Sequence, residues 1–222
     1  MPVWGVVVAR VRNGPKSRLA GVLDYDQRHR LAMAMLADVL AVCAAAASPL
    51  DRVVAVVDSA EAASLAESYG ALPVPDTGGD MNNAVQVGIE IALRRGAQTA
   101  IVLPGDIPLA RAADLDALLA AGTDFSRVVV IGASHDLQGT NALLLRPPDV
   151  TPPAFGPPSV QRHVRLAESA GAIARVVTNL GLSRDVDTPA DLAAIADLPV
   201  GPTTARLLAS EALRSLAPSR AH

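Results

Sequence analysis

Three short stretches hold the residues from which chemistry could be built. The first follows an apolar run near the start and contains Arg10, Arg12, Asn13, Gly14, Lys16, Ser17 and Arg18. Several cations in a flexible loop suit a polyphosphate, although the stretch is neither a P-loop nor a Gly-x-Gly-x-x-Gly fingerprint. A solvated basic loop is the plainer alternative. The second is Pro104-Gly105-Asp106-Ile107-Pro108, where an acid stands between two prolines directly after a hydrophobic segment. Such a carboxylate could be a turn or cap residue, or a hard oxygen ligand for Mg²⁺ that leaves room for waters and phosphates. The third is Asp185-Val186-Asp187-Thr188-Pro189. Its two acids point the same way if the segment is extended, or they simply favour the start of a helix. Two acidic sites and a cationic loop in one chain together favour a metal-assisted phosphate site.

The elements that must position these residues are legible as alternating patterns. Val3–Ala9, Arg52–Val57, Ala71–Val74, Gln98–Leu103, Val128–Ile131, Ala142–Leu145 and Ile173–Val177 are apolar or β-branched runs with the length of strands. Between them lie helical patterns. One starts at Asp26, with Leu31, Met35, Val39 and Val42 on one face, and others cover Ala60–Tyr69, Asn82–Arg95 and Asp114–Ala121. Ser159 is expected to cap a helix to Ala170, and Thr188-Pro189 with Asp191 opens another. Strands alternating with helices imply an α/β fold: three layers around a mostly parallel sheet. Ligands of such sheets lie beyond the carboxyl ends of the strands, where all three stretches fall. The expected organisation is one domain over residues 1–199 and a helical tail over 200–222. The tail carries Leu207, Leu208, Leu213 and Leu216, and either packs on the domain or joins a second subunit.

Composition excludes several classes. A formal net charge of −3 over 222 residues argues against a nucleic-acid surface. Five aromatics (Trp4, Tyr25, Tyr69, Phe125 and Phe155) give no stacking platform for single strands. The lone Cys43 cannot support a disulfide framework or a cysteine-built zinc site. Asp38 interrupts the longest apolar run before it reaches the roughly 18 residues of a membrane span. Met1–Arg10 lacks the charged leader of a signal peptide, so a cytoplasmic location is expected. No Gly-x-Ser-x-Gly elbow and no pair of histidines at metal spacing occurs. Of the 19 basic residues only Lys16 is lysine. In a chain this rich in Arg, a surviving lysine is either chance or a place where an ammonium is needed.

The motifs also occur in a specific order. Lys16-Ser17-Arg18-Leu19, Gly78-Gly79-Asp80-Met81-Asn82, Leu103-Pro104-Gly105-Asp106-Ile107-Pro108 and Gly139-Thr140-Asn141-Ala142-Leu143 are followed by Phe155-Gly156-Pro157-Pro158-Ser159 with Arg162-His163, and then by Asp185-Val186-Asp187-Thr188-Pro189. Over about residues 3–197 this set resembles the guanylyltransferases that activate 2-phospho-L-lactate or phosphoenolpyruvate in coenzyme F-420 biosynthesis. The resemblance implies a nucleotidyltransferase fold of the molybdenum-cofactor and sugar-nucleotide type. It implies GTP and a small phosphorylated acid as substrates, and a GDP-linked acid and pyrophosphate as products.

By the same resemblance Asp106 and Asp187, with Asp185 as a helper, would hold Mg²⁺. Lys16 and Arg18 would hold the triphosphate, and Gly79 and Asn82 would lie near base and ribose. Thr140, Gly156, Ser159 and His163 would grip the acid. Asp80 and Pro158 stand where glycines are usual, and Val160 where an aromatic is common. Pro158 removes a backbone N–H donor from the acid-binding loop. Two other readings are open. One is a related nucleotidyltransferase with another nucleotide or a 3-phosphoglycerate-type acceptor. The other is a non-catalytic nucleotide-binding subunit. A transient complex with a downstream transferase and a homo-oligomer through the tail are the partners such a protein could take.

Overall fold

The computed structural model describes residues 1–12, 16–45 and 49–210. Seven strands form one sheet: β1 (Val3–Ala9), β2 (Arg52–Val57), β3 (Leu72–Pro75), β4 (Thr99–Pro104), β5 (Val128–Ala133), β6 (Thr140–Arg146) and β7 (Ile173–Val177). Their spatial order is β3-β2-β1-β4-β6-β5-β7. All neighbouring pairs are parallel except those of β6, which runs antiparallel to both β4 and β5. The chain thus winds outward from β1 in one direction and then resumes on its other side with β4. The reversal between β1 and β4 is the point where open α/β sheets bind ligands.

Among the described residues seven α-helices complete the fold: α1 (Tyr25–Ala44), α2 (Ala60–Ser68), α3 (Met81–Arg94), α4 (Ala112–Ala121), α5 (Ser159–Ser169), α6 (Pro189–Ile195) and α7 (Pro202–Ala209). Alternation along the strands divides the core. Val7 and Ala9 of β1 join the cluster under α1, α2 and α4, whereas Val6 and Val8 join the one under α3 and α5. Both faces are covered, which is why the strands read as continuous apolar runs rather than alternating ones.

Several helix boundaries differ from the expectation, and capping explains them. Helix α1 starts at Tyr25 because Asp24 and Gln27 form a reciprocal capping box. Helix α3 starts at Met81, with the Asp80 side chain accepting from Asn83 N at 2.9 Å. Asp80 is thus an N-cap, and Gly78 and Gly79 before it carry the positive φ. Ser159 is not a cap. It is the first helical residue of α5, and Pro158 precedes it without a capping hydrogen bond. The capping box at Thr188 and Asp191 is present as the sequence predicts. Leu213 and Leu216 lie outside the described residues. No helix among the described residues is long and apolar enough to cross a membrane.

Helix α7 docks on α1. The carboxylate of Asp38, in the middle of α1 and buried, accepts from Thr203 N at 2.9 Å and Thr204 N at 2.8 Å. A third apolar cluster, with Leu19, Met35, Val186 and Ile195, receives Leu207 and Leu208 from α7. Leu19 follows the cationic loop and Val186 lies between the two late acids, so this cluster braces both.

Candidate active site

The three chemical stretches meet at the switch point. Gly105 N donates to Val8 O at 2.9 Å, which extends the β1–β4 pairing past the strand ends. Val186 N then donates to Asp106 O at 3.2 Å and pulls the late acidic segment alongside. Lys16 is the contact between them. Its ammonium hydrogen-bonds Asp106 Oδ2 and, at 2.9 Å, Asp187 Oδ1. The backbone of Lys16 is left-handed, with φ 51° and ψ 46°. A non-glycine residue held in that region stores strain of the kind found at functional sites. Arg18 is exposed and lies 3.5 Å from Asp187.

Electrostatics follow from this crowding. Burial opposes the Lys16 ammonium, but the charges and hydrogen bonds of Asp106 and Asp187 outweigh it and raise its pKa. Burial also pushes Asp187 up, yet Lys16 and Arg18 bring it net below the usual carboxylate range. Asp185 shifts the other way. Burial, then the charges of Asp106 and Asp187, raise it against the opposing pull of its own backbone N–H and of Lys16, and Asn141 Nδ2 donates to it at 3.3 Å.

The donor set suits a hard cation. Among the described residues Asp106 Oδ1 is buried without a hydrogen-bond partner, and the acids offer only oxygen. Among the described residues no three ligand-type side chains already converge on one metal position. Lys16 lies between the two nearest carboxylates instead.

Lys16, Arg18, Asp106, Asp185 and Asp187 line a cleft of about 570 Å³. Its far side is formed by Thr140, Gly156 and Ser159. Thr140 reaches this edge because β6 is antiparallel, so its first residue lies beside the carboxyl end of β4. Gly156 has φ +93°, and its carbonyl accepts from Arg162.

Three predicted residues, His163, Asn82 and Gly79, do not line the cleft directly. His163 is fully buried behind Thr140. Asn82 grips a backbone: its Oδ1 accepts from Phe155 N at 2.6 Å and its Nδ2 donates to Phe155 O at 3.3 Å. It thereby ties the start of α3 to the loop carrying Gly156. Gly79 has φ +96°, and a Cβ there would meet Asn83 Nδ2 at 2.5 Å, so the turn into α3 requires glycine.

The sequence reading names Arg10 and Arg12 in the cationic loop but misses the acids that support them, Asp76 and Asp58. Arg10 lines the cleft while Asp76 accepts from its Nε at 2.6 Å and Asp80 O from its Nη2 at 3.0 Å. Asp58 accepts from Val11 N at 2.8 Å and Arg12 N at 3.2 Å. Asp58 immediately follows β2, so its place at the carboxyl edge was available as a signal.

The comparisons bear on the family and the fold. The family model "Guanylyl transferase CofC like" matches residues 5–208. Phosphoenolpyruvate guanylyltransferase of Conexibacter woesei is 38% identical over 199 residues, which span 89% of each chain. That of Geodermatophilus obscurus is 40% identical over 218 residues, 94% of this chain and 95% of its own. Solved structures share the fold at low identity. A nucleotide-diphospho-sugar transferase fold from Desulfovibrio desulfuricans G20 superposes with a TM-score of 0.75 at 18% identity, covering 98% of this chain and 99% of its own. A nucleotidyl transferase of Methanothermobacter gives 0.62 at 15%, covering 87% and 95%. With a family match over nearly the whole described chain and an acid–lysine cluster at the sheet's switch point, the chain belongs to the CofC-like guanylyl transferases.

Proposed function

We propose that the cleft transfers GMP from GTP to a small phospho-acid and releases pyrophosphate, as a step toward coenzyme F-420. Phosphoenolpyruvate is the acceptor favoured over 2-phospho-L-lactate, because the similar proteins carry that name. The observation that carries the reading is the cluster of Lys16, Asp106 and Asp187 facing a hydroxyl-lined pocket across one cleft. A phosphate oxygen of the acid attacks the α-phosphorus of GTP, the bond to the β-phosphate oxygen breaks, and pyrophosphate leaves with that electron pair. No general base is required, because the attacking oxygen is already anionic. The barrier is repulsion between anions.

Lys16 and Arg18 bind the triphosphate, and Lys16 stabilises the charge that develops on departing pyrophosphate. Mg²⁺ held by Asp106 and Asp187, with Asp185 beside them, would supply the remaining charge neutralisation. Gly79 shapes the turn on the nucleoside side, and Asn82 acts there through its hold on Phe155. Thr140, Gly156 and Ser159 hold the acid. The product is a reactive phosphoanhydride, which suits prompt hand-over to a downstream transferase.

The test is pyrophosphate release across four nucleoside triphosphates and a panel of phospho-acids. Release with GTP and phosphoenolpyruvate, and far less with 3-phosphoglycerate or ATP, is expected. GTP binding without release for any acid would favour a nucleotide-binding subunit instead.

A further inference from the structure

We infer that His163 is a positioning residue: by donating to Thr140 it forces the Thr140–Ser159 hydroxyl pair to present a proton to the phospho-acid. The inference rests on the proposed acceptor pocket and adds a determinant of its polarity. His163 lies four residues after Ser159 on α5, so both occupy the same face of the helix. Its ring is buried and fixed edge-on by Phe155, with centroids 5.2 Å apart.

The neighbours decide the tautomer. Ala154 N donates to His163 Nε2 at 3.0 Å. An N–H can face only an unprotonated nitrogen, so the ring proton sits on Nδ1. Nδ1 is 3.1 Å from Thr140 Oγ1 and donates to it. Thr140 Oγ1 is in turn 3.0 Å from Ser159 Oγ.

Counting protons gives the consequence. The two hydroxyls carry two protons, and one is used between them. With His163 as donor the second proton is free to meet an acceptor in the cleft, which both residues line. The competing acceptor, Gln138 O, is a long 3.5 Å from Ser159 Oγ. With the opposite tautomer, Thr140 would donate to Nδ1 and Ser159 to Thr140. Both protons would then be consumed, and the pair would turn lone pairs toward an anion. Burial and the nearby Arg162 charge lower the ring's pKa to about 4, so the neutral relay persists at physiological pH.

Two substitutions separate the ring nitrogens. In His163→Gln the amide reaches the Nε2 position and can satisfy Ala154, but it leaves Thr140 without its donor. In His163→Asn the amide nitrogen lies near the Nδ1 position and can restore that donor. The readout is KM for phosphoenolpyruvate and for GTP, measured by pyrophosphate release. His163→Gln should raise KM for the acid about tenfold and leave KM for GTP unchanged, with His163→Asn close to wild type. In a Thr140→Val background, His163→Gln should add nothing, because it acts through Thr140. Equal effects of Gln and Asn, or multiplying effects in the double variant, would overturn the inference.

An unchanged acid KM in Thr140→Val would overturn the acceptor pocket and the inference with it. A raised KM there with normal His163→Gln would overturn the inference alone. Nitrogen-15 shifts of the wild-type ring need no variant. They should show Nδ1 protonated and Nε2 bare, and the reverse would refute the relay.

Discussion

Asp38→Ala removes the fastening of α7. The carboxylate lies on α1 with 4% exposure, and its two oxygens meet the N–H groups of Thr203 and Thr204 at 2.9 and 2.8 Å. It is a two-point cap at a helix N-terminus, supplied by another helix and favoured by the dipole. The fit is close: a Cβ on Gly201 would come within 2.3 Å of Asp38 Cγ. Losing two charge-assisted hydrogen bonds, with part of the loss recovered by water at the half-buried Thr203, costs about 3 kcal/mol. For a chain of this size that lowers Tm by roughly 6–12 °C. Asp38→Asn keeps one acceptor but turns an amide N–H toward the second donor, so it should lie between wild type and Ala. Urea titration and thermal melts read both variants. A melt of Asp38→Ala within 1 °C of wild type would refute the reasoning and leave α7 held by its leucines alone.

Two further outcomes follow from the site. Lys16→Arg should lower turnover about 10²-fold, because a planar fork cannot replace a compact ammonium between Asp106 and Asp187 on a left-handed backbone. Retained activity would make the lone lysine a coincidence of composition. His163 should give stability a pH dependence. Its folded pKa is lowered to about 4 from 6.5, so the unfolded chain binds a proton that the folded chain refuses. Its contribution is intact above pH 6.5 and lost as pH falls to about 4, by about 3 kcal/mol in all. Urea midpoints from pH 7 to 4 should fall less steeply in His163→Gln, and identical slopes would count against a neutral buried ring.

Much of the architecture is legible because local signals and the tertiary environment agree. Strands buried on both faces read as Val/Ile/Leu runs, and the box at Thr188 and Asp191 marks its helix unaided. The acids read well too, since Asp106 and Asp187 stand at the ends of apolar or extended segments. What stays hidden depends on distant pairing. Asp38 is only a charge in an apolar run until Thr203, 165 residues later, supplies its partner. Thr140, named only through the family resemblance, is otherwise an ordinary residue before a strand until antiparallel β6 turns it toward the switch point. The polar surroundings of His163 come from β6 and the Pro-rich loop, neither of which leaves a mark on α5 itself. Asn82, chosen for proximity to the nucleoside, acts on the Phe155 backbone, a contact spanning 73 residues.

The central claim is that Asp106 and Asp187 organise the transfer of GMP onto a phospho-acid. The direct measurement is pyrophosphate release from GTP and phosphoenolpyruvate by Asp106→Ala and by Asp187→Ala. Either variant leaves Lys16 one carboxylate partner, so each should keep a cooperative melt. Each should lose turnover by a factor of about 10²–10³ or more. Near-normal pyrophosphate release by both folded variants would contradict the account.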